Sequence, residues 1–197
     1  MQIKQLHHAA GPLWDSAMSI YCEVFPQWER EPIEELKQAV DTGKSRCIVI
    51  HAGEQALGMS LTELYPQHRF AMLGYLFIAP AMQGQRLGKQ LCDELFEFFD
   101  PSTEYSWLLV EAEAGPEKFY QKLGFSTFNI DYLSPHYDDQ ASTPMALMYH
   151  CKSQQALPTL QQLWQVVAHI FTSSYYLDST DARFVEQRQR ILSKDSL

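Results

Sequence analysis

A mixed α/β fold is the class this sequence predicts, and two observations carry it. From Cys47 to Tyr149, apolar segments of strand character are interleaved with segments of helical period, in the order β, β, β, α, β, α, β, β. Hydrophobic residues make up 46% of the 197, which suits one core of ordinary domain size with room for an appendage and leaves little scope for long disorder.

Ile3 to Leu6 reads as a short first strand. Leu13, Ala17, Ile20, Tyr21, Val24 and Phe25 then recur at helical spacing until Pro26 stops them. A second helix opens near Pro32, a residue suited to a first helical turn, and carries Ile33, Leu36 and Val40 up to Gly43. Cys47 to Ile50 is a strand, Gly53-Glu54-Gln55 its turn, and Ala56 to Tyr65 the returning strand of a hairpin. Phe70 to Ala79 is the next strand, closed by Pro80, and Leu87, Leu91, Leu95 and Phe98 form the apolar side of the helix after it. Trp107 to Ala112 is a strand, and Pro116 to Leu123 a helix with Gly124 as its left-handed stop. Phe125 to Leu133 and Met145 to Tyr149 are expected as the last two strands, joined by a polar loop from Ser134 to Pro144. Beyond residue 152 the period is helical: Leu160, Leu163, Trp164, Val167, Ile170 and Phe171 make one stripe. Asp181 caps a final helix that carries Phe184, Ile191 and Leu192. The expected division is a domain over 1–152 and a C-terminal helical extension over 153–197. The extension is expected either to cover the sheet or to offer Leu160 to Phe171 to a second copy, making a homodimer.

Charge narrows the partners. The net charge is -9, from 24 acidic and 15 basic side chains. Residues 1–152 hold 20 acidic and 11 basic ones, whereas 153–197 hold four of each. Such a surface repels polyanions, so neither nucleic acid nor an anionic membrane is an expected partner. Met1 to Leu6 is polar and mixed in charge, unlike a secretory or transit sequence, and the apolar runs are too short to span a bilayer. Cys22, Cys47, Cys92 and Cys151 are widely spaced, without a metal or disulfide pattern, and are expected as small core thiols in a reducing cytoplasm. His7-His8, on a strand end, point to opposite sides and make no chelate, so no metal site is expected.

The stretch from Phe77 through Ile78, Ala79, Pro80, Ala81, Met82, Gln83, Gly84, Gln85, Arg86, Leu87 and Gly88 to Lys89 carries the clearest chemistry. A buried strand runs into a glycine-containing turn that opens a helix, leaving successive N–H groups at the positive end of the helix dipole. Such a nest binds an anion, most often phosphate. The Gly-Lys-Ser/Thr ending of a P-loop is absent, and the first glycine of a dinucleotide fingerprint is missing.

The order of these segments resembles the GNAT superfamily of acyl-CoA-dependent N-acetyltransferases. Gln83, Gly84 and Gly88 fit the frame of that family's pyrophosphate loop, with Arg86 where a glycine usually stands, and Ile78-Ala79-Pro80 is similar to the strand end before it. Lys118-Phe119-Tyr120-Gln121-Lys122-Leu123-Gly124-Phe125 resembles the second signature. The resemblance runs from Ile3 to Cys151 and implies a mostly antiparallel sheet whose fourth and fifth strands splay to admit pantetheine, with helices on both sides. It implies acetyl-CoA, or another acyl-CoA, as the cofactor, held by Phe77 to Ala79, Gln83 to Lys89 and Tyr120. The activity implied is direct transfer of the acetyl group to a primary amine. Tyr120 would protonate the departing thiolate. An amine must be neutral to attack, so a carboxylate or water chain must take its proton. Many relatives carry a glutamate on the fourth strand, where this chain has Leu73-Gly74-Tyr75. Glu63, Glu111 and Glu113 are therefore the candidate bases, the last two alternating on one face of the fifth strand. The acceptor pocket implied lies at the junction of the first two helices, with Phe25, Trp28, Glu29 and Arg30, beside Tyr75, and near the last loop, with Tyr132, His136, Tyr137, Asp138 and Asp139. Aromatic walls with acidic groups suit a cationic amine of a small molecule or peptide. A non-catalytic acyl-CoA-binding module is the alternative.

Overall fold

The computed structural model describes residues 1–152 and 157–195, so the expected boundary at 152/153 abuts residues outside the description. The chain forms two compact units, Met1–Leu108 and Leu109–Leu197.

The first unit is an antiparallel meander of β1 (Gln2–Leu6), β2 (Ser45–Ala52), β3 (Gln55–Tyr65) and β4 (Phe70–Ile78), each paired with the next. Helices α1 (Pro12–Val24) and α2 (Ile33–Asp41) precede β2, and α3 (Leu87–Phe99) follows β4. The two sides of β2 explain its unbroken apolar run. Cys47 and Val49 pack with Trp14, Tyr21 and Leu36 of α1 and α2, while Ile48 and Ile50 pack with Leu87 and Leu91 of α3. Both faces of this sheet are therefore covered, as in sheets whose strands read as continuous hydrophobic runs. The buried side of α3 is Leu87, Leu91, Leu95 and Phe99 with Cys92. Phe98, expected in that row, is instead half-buried under Arg46, whose guanidinium lies 5.0 Å from the ring centroid. A row of four-residue steps from Leu91 reaches 99 and not 98.

β5 (Trp107–Ala112) starts at the end of the first unit and continues into the second, which holds α4 (Ala114–Lys122), β6 (Ser126–Thr127), β7 (Tyr132–Pro135), β8 (Ser142–Cys151), α5 (Leu160–Ser173) and α6 (Ala182–Leu192). The strand expected from Phe125 to Leu133 is broken in two. β6 and β7 both pair antiparallel with β8 and run in the same direction along it, but residues 128–131 face only residues 146–147 of β8, so the chain loops out between them, with Ile130 N–H donating to Phe128 O. The polar loop is correspondingly shorter, because β7 takes in Ser134 and Pro135 and β8 begins at Ser142. Helix α5 opens on a capping box of Thr159 and Gln162 and buries Leu163, Trp164, Val166, Val167, Ile170 and Phe171 within the unit. Gln187 of α6 is 1% exposed; its side chain accepts from Leu133 N–H (2.9 Å) and donates to Asp131 O (3.1 Å), completing the backbone bonding beside β7. The fold class read from the sequence, mixed α/β with flanking and C-terminal helices, is the one observed. Among the described residues no helix is long and apolar enough to cross a membrane.

The cysteines divide. Cys47 and Cys92 are buried, and burial pushes both thiols up to about 12. Cys22 is exposed, a correction to its expected core position: it lies on the outward side of α1, next to buried Tyr21.

Candidate active site

At the end of β4 the chain makes a single 3-10 turn, Pro80–Met82, and two left-handed residues, Gly84 (φ 78°) and Arg86 (φ 63°), before α3. Arg86 is the cap of α3 and holds the backbone conformation that glycine adopts most cheaply. The substitution in the loop frame has thus kept the path of the chain and added a cation. Among the described residues, none accepts a hydrogen bond from the N–H groups of Gly84 through Lys89; the first helical bond is Gln90 N–H to Arg86 O. Leu87, 1% exposed, anchors the helix start on the sheet, and Ala79 N–H donates to Leu57 O (2.8 Å), which fixes the strand end. Phe77 is buried in the core with Ala79 half-buried at its margin, and Ile78 is half-buried against Leu87 and Leu91 of α3. Lys89 spends its charge on Asp93, 2.7 Å away, so Arg86 is the cation beside these amides. A row of N–H groups at a helix start, without an acceptor among the described residues, fits a pyrophosphate.

The same strand carries a second feature. Leu61 pairs with Tyr75 and Thr62 with Leu73, so Gly74 is an extra residue in β4, a β-bulge. The Glu63 carboxylate leans across from β3: a methyl group on Gly74 would stand 2.8 Å from Glu63 Oε1. Tyr65, on the same side of β3 two residues on, donates its hydroxyl to Glu63 Oε2. Tyr75 is 5% exposed and ties the α1–α2 junction to β4, accepting from Glu31 N–H (2.9 Å) and donating to Glu29 O (3.0 Å). Burial pushes its phenol well above the ordinary value. Phe25 rests edge-on against Tyr75, with ring centroids 5.2 Å apart. Trp28, Glu29 and Arg30 are half-buried beside it.

In the second unit Glu111 lies at the centre of a hydroxyl network. Tyr132 donates to Oε1, and Ser134 (2.8 Å) and Tyr175 donate to Oε2; the Ser134 and Tyr175 hydroxyls are 2.6 Å apart. Burial holds the Glu111 carboxyl above its ordinary value, opposed by the three hydroxyl bonds. Glu113 does not share its face, because β5 ends at Ala112 and Glu113 becomes the exposed cap residue of α4. Tyr120 is buried on α4 between Phe119 and Phe125, with centroids 5.2 and 5.5 Å away. Tyr137 stacks on Tyr175 at 5.0 Å, and the pair lines a cleft of about 330 Å³ with His136, Asp138, Asp139 and Tyr176. His136, Asp138 and Asp139 bring ligand atoms within 4.8 Å of one another. The imidazole Nε2 is hydrogen-bonded with Thr143 Oγ1 (2.8 Å), and Nδ1 lies 3.0 Å from Asp139 Oδ1.

Four participants escaped the sequence reading. Tyr65 stands two residues from Glu63 and was legible from strand alternation. The place of Gly74 depends on a register that only the folded sheet supplies. Ser134 opens a polar stretch that predicts loop, and Tyr175 is 64 residues from Glu111 with no local pattern to link them.

Residues 43–127 match the family model of the acetyltransferase (GNAT) domain. No curated protein matches the chain. Among solved structures, a protein described as a GNAT-family acetyltransferase from Bacteroides thetaiotaomicron is similar over 90% of this chain and 100% of its own, at 20% identity and a TM-score of 0.73. The spermidine N-acetyltransferase of Vibrio cholerae, in complex with CoA and spermine, is similar over 78% and 98%, at 18% identity and 0.59. An aminoglycoside 6'-N-acetyltransferase complexed with coenzyme A is similar over 77% and 97%, at 13% identity and 0.56. At such identities the likeness is one of fold.

Proposed function

We infer that this chain, a member of the GNAT acetyltransferase superfamily through its residues 43–127 and its fold, moves an acetyl group from acetyl-CoA directly to the primary amine of a cationic small molecule or peptide. The observation that carries the reading is the turn at the end of β4, with six successive N–H groups unengaged by the described residues and Arg86 beside them. These groups would hold the pyrophosphate of acetyl-CoA. From Ala79 back to the Gly74 bulge is five residues, about 17 Å at the usual strand rise, a span comparable with an extended pantetheine arm. Backbone N–H groups of β4 near the bulge would polarise the thioester carbonyl. Tyr120 would return a proton to the thiolate. Glu63, Glu111 and Glu113 remain the carboxylates available to receive the proton from the amine. No cysteine lies in either signature, so the transfer needs no acyl-enzyme.

A cationic acceptor is supported by the aromatic and acidic lining of the cleft at Tyr137 and Tyr175. In this reading residues 1–152 are the acyltransferase domain and 153–197 a helical extension, working in the cytoplasm. The test is thiol release from acetyl-CoA in the presence of a panel of polyamines, aminoglycosides and lysine peptides, with CoA affinity measured by calorimetry. Release with at least one amine is expected, and Tyr120→Phe should lower turnover more than CoA affinity. CoA binding without release from any acceptor would leave a binding module, and no binding at millimolar CoA would end the reading.

A further inference from the structure

We propose that Glu63 is the base that takes the proton from the acceptor amine, and that position 74 is glycine so that this carboxylate can stand over the β4 bulge. The assignment rests on the acyl-transfer reading above. Three observations converge. The bulge leaves Gly74 outside the regular ladder between β3 and β4. Glu63 Oε1 occupies the space that any side chain at 74 would enter, within 2.8 Å of a Cβ placed there. Tyr65 fixes the orientation of the carboxylate through its other oxygen.

The surroundings separate Glu63 from the other two candidates. Met59, Leu61 and Glu63 alternate along one side of β3, and the first two pack against α1 and α2. Glu63 therefore lies on the sheet face that carries the Phe25–Glu31 junction, beyond the last fully buried positions of the strand. A carboxylate has about four acceptor positions, and Glu111 gives three of them to hydroxyls that hold β7 and Tyr175 in place. Glu113 is the exposed cap residue of α4.

The proton count closes. The acceptor ammonium gives one proton to the Glu63 carboxylate, and its nitrogen lone pair then forms the C–N bond to the thioester carbon. Collapse of the tetrahedral adduct breaks the C–S bond, and the sulfur takes the electron pair. The thiolate receives a proton from a general acid, and the second proton shed by the nitrogen restores that acid. The products are the amide and free CoA, with one proton released to solvent from Glu63.

The experiment compares the wild type with Glu63→Gln, Glu63→Ala, Gly74→Ala and the relocated pair Glu63→Ala/Gly74→Glu, by thiol release, amine KM, CoA affinity and thermal midpoint. Gly74 is free of positive φ, so the backbone accepts the new side chain. Glu63→Gln should lower kcat by about 100-fold or more, the usual worth of a positioned base, with CoA affinity and thermal midpoint unchanged. Gly74→Ala should lower kcat by displacing the carboxylate, and the relocated pair should recover turnover at least tenfold over Glu63→Ala. Wild-type turnover in Glu63→Gln would overturn the assignment while leaving acyl transfer intact. No recovery in a folded, CoA-binding relocated pair would overturn it equally. Absence of thiol release from the wild type itself would defeat the acyl-transfer reading, and this assignment with it.

Discussion

At the scale of single residues, Glu111 shows how far the surroundings decide what a carboxylate can do. Its strand position was legible from alternation, but its burial among Tyr132, Ser134 and Tyr175 was not, since two of the three donors come from elements that the sequence presented as loop or tail. Desolvation raises its pKa above the ordinary 4.5 and outweighs the hydroxyl bonds. A carboxyl held above its unfolded value favours the folded state below that value, and the contribution disappears as pH rises through the folded one. Thermal stability should therefore decline as the pH is raised from about 4.5, and Glu111→Gln should flatten that decline. The check is a series of melting curves on both proteins at fixed ionic strength. A wild-type curve that rises over the same interval would contradict the assignment.

Among elements, the ones read most accurately were those whose side chains answer to two faces of one sheet. β2 showed its apolar run because α1 and α2 cover one side and α3 the other. The division of β6 from β7 was hidden, because Phe128-Asn129-Ile130-Asp131 keeps the alternation of a strand while facing only two residues of β8. Pairing register was equally hidden, and with it the meeting of Glu63 and Gly74. The α1–α2 junction is tied to β4 by the Tyr75 hydroxyl, set between Glu29 O and Glu31 N–H, and to α1 by the Tyr21 hydroxyl, which donates to Glu31 O. Tyr75→Phe would leave the buried Glu31 amide without its acceptor, a loss of about 1–3 kcal/mol. The expected result is a thermal midpoint lower by several degrees and a raised KM for the amine, with CoA affinity retained. An unchanged midpoint would mean that the junction is held by other contacts.

For the molecule as a whole, the C-terminal helices are part of a core and not an ornament on one. α5 alone buries Leu163, Val167, Ile170 and Phe171 to 1% exposure or less. Side chains of this kind are worth about 1.5–3 kcal/mol each, so together they rival the net stability of a typical domain, about 5–15 kcal/mol. A chain ending at Lys152 should therefore sediment as aggregates or bind a hydrophobic dye, whereas the full-length chain should do neither. A well-behaved monomeric truncation would assign the stripe to contacts between copies.

The Tyr175–Glu111 bond also has a bearing on synthesis. Every strand and helix of the Met1–Leu108 unit is made before Glu111 leaves the ribosome, so that unit can close while translation continues. The second unit has no such opportunity. The partners of Glu111 and of the β7 backbone, Tyr175 and Gln187, follow the groups they bond by 64 and 54 residues. Until they emerge, the Glu111 network lacks one of its three hydroxyls and the β7 backbone lacks its side-chain partner, and a pause or premature stop before Gln187 would release a half-finished protein to the cell's chaperones and proteases.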